Sequence, residues 1–205
     1  MRKKIACGLA LCALWVLGGN WAAAATYKLD AEKSELVVQV YKGGFAGMLA
    51  HDHVVRATAL EGWAIFDPGD LSTASVEVKV PAAALRVDEP EFREKYGLGK
   101  ALKADQRAHV QATMESADQL DVKSYPTLSF RSTRIEKADG EGLYRIMGNL
   151  TIHGVTRAVS FTAEVRKAAD AALSGRGTFG FKQSDFGIKP YSAFLGAVRN
   201  QDEVR

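Results

Sequence analysis

The residues with the greatest chemical potential are His51, Asp52 and His53. In an extended segment His51 and His53 project to the same side, as two metal ligands would need to do. A zinc site also requires a third ligand, and only the distant His109 and His153 or a carboxylate are on offer. The competing reading is that the triplet hydrogen-bonds a loop or rim. His153 follows Ile152 in an alternating run and is expected to face solvent, and His109 is expected on a polar surface. No Gly-x-Ser-x-Gly nucleophile elbow occurs. Asp185 beside Ser184 reads as a turn carboxylate that accepts backbone N–H groups rather than as an acid or base. Gly43-Gly44-Phe45-Ala46-Gly47 lacks the Lys-Ser/Thr of a phosphate loop and reads as a mobile loop.

Residues 1–25 carry a different message. Arg2, Lys3 and Lys4 precede an apolar run from Ile5 to about Gly18, which leads to Ala22-Ala23-Ala24-Ala25. A basic head, an apolar stretch and a small-residue exit are the marks of a signal peptide, and the run is shorter than the roughly 20 residues that span a bilayer. Cleavage is expected after Ala24 or Ala25, leaving residues 26–205 as one domain. Of the 27 Lys and Arg residues three lie in this segment, which leaves 24 against 24 Asp and Glu. A neutral exported chain lacks the electrostatic footprint of nucleic-acid binding. Both cysteines, Cys7 and Cys12, fall in the same segment, so no disulfide or thiolate metal site is expected beyond it.

The elements that must position these residues are strands. Val38 and Val40, then Val76, Val78 and Val80, then Leu128 and Phe130 alternate with polar neighbours. Ile146, Leu150 and Ile152 share a face with Gly148, and Val159, Phe161, Ala163 and Val165 form another series. Alternation over five to ten residues marks half-buried strands. Turn signals separate them at Asp67-Pro68-Gly69-Asp70, Asp139-Gly140-Glu141-Gly142 and Ser174-Gly175-Arg176-Gly177. Only Asp88 to about Asp121 is rich in helix formers, with a short helix expected at Val110–Glu115. The pattern predicts an all-β fold, an antiparallel barrel of about eight strands with a short helical insert. Gly62, Gly148, Gly154 and Gly180 are expected where the sheet bends. Periodicity alone favours a solid core inside it.

Three segments carry a resemblance. Tyr125-Pro126-Thr127-Leu128-Ser129-Phe130-Arg131-Ser132, Gly148-Asn149-Leu150-Thr151-Ile152-His153-Gly154-Val155-Thr156 and Ser184-Asp185-Phe186-Gly187-Ile188 resemble motifs of the YceI-like family of exported polyisoprenoid-binding proteins, in the family's order. The resemblance implies a lipocalin-like barrel with a lipid-filled interior, and it reverses the preference for a solid core. Two departures stand out: the spacing of the His-containing segment Ala50-His51-Asp52-His53-Val54-Val55, and an end at Asp202-Glu203-Val204-Arg205 that leaves the last strand short.

The expected function is periplasmic binding or transport of a long isoprenoid lipid, quinone-type or polyprenyl, without catalysis or cofactor. Val38, Val40, Trp63, Phe66, Phe130, Leu150, Ile152, Phe161, Phe179 and Phe181 are the expected tunnel lining. Lys42, Arg56 or the histidines are expected near a polar head at the mouth, beside the Gly43–Gly47 loop. The alternative is a periplasmic metal-binding or enzymatic protein using His51 and His53. A third reading is an accessory that presents a quinone to a membrane partner.

Overall fold

Strands are the dominant elements of the computed structural model, which describes residues 25–167 and 172–205. The expected signal segment, with both cysteines, lies outside the described residues apart from Ala25. The strands are β1 (Ala25–Lys28), β2 (Val37–Gly43), β3 (His53–Ala57), β4 (Glu61–Phe66), β5 (Ser75–Pro81), β6 (Leu85–Val87), β7 (Thr127–Lys137), β8 (Leu143–Ile152), β9 (Val155–Lys167), β10 (Leu173–Gly177), β11 (Phe181–Lys182), β12 (Ser192–Ala193) and β13 (Val198–Val204). Two helices, α1 (Pro90–Lys95) and α2 (Ala104–Glu115), fill the expected insert.

The strands form two antiparallel sheets. One has the order β1-β4-β5-β7-β8-β9-β10; the other runs β11-β13-β2-β3-β6, with β12 on β13. The chain passes between the sheets five times, and two of the short passages form corners of the wall. At one, β5 ends at Pro81, whose missing N–H terminates the ladder, and the short turn Ala82–Ala84 leads into β6. That corner is stitched by the Ala82 N–H to the Pro126 carbonyl at 2.8 Å and the Thr58 N–H to the Ala84 carbonyl at 2.9 Å. At the other, β10 passes through Thr178–Gly180 into β11. The result is a nearly closed lipocalin-like barrel. β13, far from leaving the seam short, lies between β11 and β2 and completes the wall.

Four expectations change here, and the first is that Ser174–Gly177 is not a turn but most of β10, held in the ladder by antiparallel pairing with β9. Gly154 is not a strand bend: with His153 it forms a two-residue turn between β8 and β9, at φ values of 72° and 51°. Consecutive left-handed residues match the twist of a tight hairpin. His153 is therefore held at a corner, packed edge-on to Tyr125 with ring centroids 4.5 Å apart, rather than pointing outward from a strand. Gly148 does serve the sheet, but by making room: a Cβ there would lie 2.5 Å from the Phe130 ring.

The inward face does not keep one parity. On β7, Leu128 and Phe130 face in, but a bulge between Ser132 and Arg134 shifts the register so that Ile135 opposes Ile146. An extra residue exchanges the two faces of a strand. The core is also divided. Three separate clusters centre on Val55, Val80 and Val87, on Ile135, Tyr144 and Ile146, and on Ile152, Phe186 and Ile188. Side chains between them, such as Val78, Phe130 and Leu150, are only partly buried.

Candidate ligand cavity

That partial burial has one cause: the inward side chains face a cavity of about 1740 Å³. Its wall on the seven-stranded side includes Val76, Val78 and Val80 from β5, Phe130 from β7, Tyr144, Ile146 and Leu150 from β8, and Phe161 from β9. The facing wall is Val38 and Val40 from β2, His53 and Val55 from β3, and Leu85 and Val87 from β6. Ligand sites for drug-sized molecules occupy roughly 300–1,000 Å³, so this space suits a longer molecule. Dispersion and solvent exclusion, rather than directional bonds, dominate what such a lining offers.

Phenylalanines bridge the two walls across the β10–β11 corner. Phe130 and Phe161 have centroids 5.6 Å apart, Phe161 stacks on Phe179 at 4.8 Å, Phe179 meets Phe181 at 6.1 Å, and Phe181 meets Phe186 edge-on at 5.4 Å. These separations are those of favourable aromatic pairs. Phe186 is almost wholly buried and was not singled out from sequence. It sits in the Ser184–Ile188 turn, whose Ser184 donates its hydroxyl to Asp202 at 2.6 Å and its N–H to the same carboxylate at 2.8 Å. Asp202 thus takes the turn role expected of Asp185.

All ten expected lining residues border this space, with one qualification. Trp63 pairs with Glu77 across β4 and β5, whereas Ala64 pairs with the inward Val76. Directly opposed residues share a face, so the Trp63 side chain lies on the outer side while Ala64 and Phe66 face in. Phe66 confirms its own placement by packing edge-on to Tyr144 at 5.0 Å.

The helical insert covers the free edge of β6. The Gln111 side chain accepts from the Val87 N–H at 3.0 Å and donates to the Leu85 carbonyl at 2.9 Å, as a neighbouring strand would. One turn apart on α2, Val110 and Met114 turn to the cavity. His109 is exposed at the cavity border rather than remote from it. Nearby, Tyr96 donates its hydroxyl to Glu35 at 2.8 Å and Lys95 donates to the other oxygen at 2.5 Å. The Lys95 hydrogen bond holds the Glu35 carboxyl below its ordinary value. Burial, then the hydrogen bond to Glu35, pushes the Tyr96 phenol up to about 12, so it stays protonated.

The histidine triplet separates. His51 is exposed and precedes β3, whereas His53 faces the cavity and its Nδ1 lies 2.6 Å from the Asp88 carboxylate. Asp88 is almost wholly buried, at a left-handed φ of 52° that aspartate tolerates better than most residues. Its other oxygen accepts from Arg93 at 2.8 Å and from the Val54 N–H at 3.1 Å. Arg93, equally buried, donates also to the carbonyls of Asp52, Leu98 and Lys100. Burial pushes the Asp88 carboxyl up, but the His53 hydrogen bond and charge, with Arg93 and the Val54 N–H, outweigh it and hold it below its ordinary value. Among the described residues no three His, Cys, Asp or Glu side chains converge as a metal site. Arg56 is not a cavity cation: it forms a bidentate pair with Glu89 at 2.7 and 3.1 Å and lies over the Phe92 ring. Lys42 does not line the cavity either.

Fold and cavity together define a lipocalin-like binding barrel. The chain belongs to the YceI-like domain family, whose profile matches residues 27–205. A UPF0312 protein of Pseudomonas aeruginosa is 29% identical over 196 residues, covering 92% of this chain and 89% of that one. A UPF0312 protein of Pseudomonas putida is 29% identical over 194 residues with the same coverage. The crystal structure of Burkholderia cenocepacia BcnA superposes with a TM-score of 0.62 at 20% identity, covering 85% of this chain and 93% of that chain.

Proposed function

We propose that this chain is an exported carrier that binds a long isoprenoid lipid, quinone-type or polyprenyl, in the periplasm. The observation that carries the reading is the large cavity walled by aliphatic and aromatic side chains from both sheets. An isoprenoid tail in water costs roughly 25 cal/mol for each Å² of apolar surface exposed. Enclosing it between the two valine walls and the phenylalanine run removes that cost without demanding a particular head group. Tail length then sets affinity. The signal-like residues 1–25 support export, and the balanced charge of the remainder argues against a polyanionic partner.

The test is to extract the purified protein with organic solvent and identify bound lipid by mass spectrometry, then to add isoprenoids of graded length to delipidated protein. A long isoprenoid at about 100 times its Kd should stabilise the fold by about 2.7 kcal/mol, read as a raised melting temperature. Shorter chains should do so less, at about 0.8 kcal/mol for each CH₂ not buried. No extracted lipid and no shift with any chain length would overturn the reading.

A further inference from the structure

The largest exposed apolar side chains are not scattered. Phe45 is 90% exposed, Met48 87%, Phe194 82% and Leu195 fully so. Phe45 and Met48 lie on the loop from β2 to β3; Phe194 and Leu195 lie on the turn from β12 to β13. The two loops are bonded to each other, the Ala46 N–H donating to the Ala197 carbonyl at 2.9 Å. Gly44, at a φ of 85°, permits this approach, since a Cβ there would lie 2.4 Å from that same oxygen. Phe194 and Leu195 both hold left-handed backbone, at φ values of 50° and 54°. That conformation is costly for side chains of their size, yet it presents both to solvent. The strain is not repaid by packing among the described residues.

We propose that these two loops are a bilayer-docking tip, with Phe45, Met48, Phe194 and Leu195 inserting into the interfacial region of a lipid membrane. Three features favour a bilayer over a protein partner. The apolar groups stand on two loop tips rather than on a sheet or helix face, and a Cβ added at Gly47, between Phe45 and Met48, would meet no atom within 4 Å, so the tip is open to solvent. Cations flank them: Lys42 on β2, and Arg199 on β13 opposite Gly43, both exposed and in no ion pair among the described residues. The nearby acid Asp52 accepts the Lys42 backbone N–H at 2.8 Å. Tyr191, three residues before Phe194 and 38% exposed, adds the amphipathic ring typical of the headgroup level. Apolar groups below basic groups is the arrangement of an interfacial anchor.

The tip also sits at a meaningful end of the barrel. Val40, His53, Tyr191 and Asn200, which lead into or out of these loops, all border the cavity. Docking here would bring the apolar interior against the phase where apolar lipids reside. The proposal stands on the loops themselves and does not require the isoprenoid reading.

The test is flotation with vesicles of phosphatidylcholine, alone or with phosphatidylglycerol, and with no isoprenoid present. The protein is expected to float, with affinity rising on added phosphatidylglycerol by roughly fivefold for each of the two cations and falling again in high salt. Replacing all four tip residues (Phe45→Ser, Met48→Ser, Phe194→Ser, Leu195→Ser) should weaken binding about tenfold or more. The melting temperature of that variant should not fall, because none of the four is packed. A second readout is Phe194→Trp, whose emission should shift to the blue on vesicles and be quenched by lipids brominated near the headgroup, relative to the parent. Equal flotation by parent and four-serine variant, or an emission from the Phe194→Trp variant that does not shift on vesicles, would overturn the proposal. So would a dimer in sedimentation that the four-serine change dissolves without any vesicle binding, since the covering partner would then be a second copy.

Discussion

At the scale of residues, the least expected feature is the buried line His53–Asp88–Arg93 beside an otherwise apolar cavity. Asp88 neutralises Arg93, and Arg93 in turn gathers three backbone carbonyls that fix α1 and the following loop against β3. Removing one partner of a buried pair leaves the other charge uncompensated, at about 3–5 kcal/mol. Asp88→Asn, which keeps the shape and tolerates the left-handed backbone, is expected to lose that much in urea unfolding at neutral pH. The pH dependence has a definite sign. Because the folded carboxyl titrates below its ordinary value, its contribution is complete above about pH 4 and fades as pH falls through the lower folded value. The stability gap between parent and Asp88→Asn should therefore hold above about pH 4 and narrow as the pH is lowered below it. A constant gap would show that the carboxylate charge is not what stabilises the site.

At the scale of elements, the edge of β6 carries the most testable claim. An uncovered strand edge invites pairing with other chains, and here one side chain, Gln111, occupies it through two hydrogen bonds. Gln111→Ala is expected to cost about 1–3 kcal/mol by leaving both backbone groups without their partner. The local measurement is hydrogen exchange, in which the Val87 amide should lose protection while amides in β8 and β9 keep theirs. Unchanged exchange at Val87 would mean that α2 covers the edge by packing alone. The insert was legible as helix-forming from its composition. Its task was not, because Gln111 reads as an ordinary surface residue until β6 is placed beside it.

At the scale of the whole molecule, the question is whether the interior is a cavity or a loosely packed core. Leu150→Trp separates the two. Leu150 borders the cavity between Phe130 and Ile152, so a larger side chain there should grow into empty space. The substitution is expected to leave the melting temperature of the empty barrel nearly unchanged while weakening long-chain isoprenoid binding. In a filled core the same change would overpack and cost about 1–3 kcal/mol. A destabilised Leu150→Trp barrel would place the side chains closer than the three separate clusters indicate.

By itself the sequence determined the longer alternating strands, the turns at Asp67–Asp70 and Asp139–Gly142 and the helical insert, since alternation of two and turn residues act locally, whereas Ser174–Gly177 reads as a turn and is strand β10. Leu128 with Phe130 and Val76 with Val80 were legible in this way, and three motifs were enough to suggest the family. Only the tertiary structure decided which side of each strand faces inward. A period of two says that the faces differ, not which one is enclosed, so Trp63 fell on the outer face and Ile135 moved inward after the bulge. His51 and His53 parted because only His53 lies on β3, where it meets Asp88, 35 residues away from it in sequence and 2.6 Å away in space. Whether apolar faces meet or stand apart is a matter of barrel circumference, which is set by strand count, stagger and closure. No residue pattern along one strand encodes that distance, and so the space between the walls became visible only when β13 closed the sheet against β2.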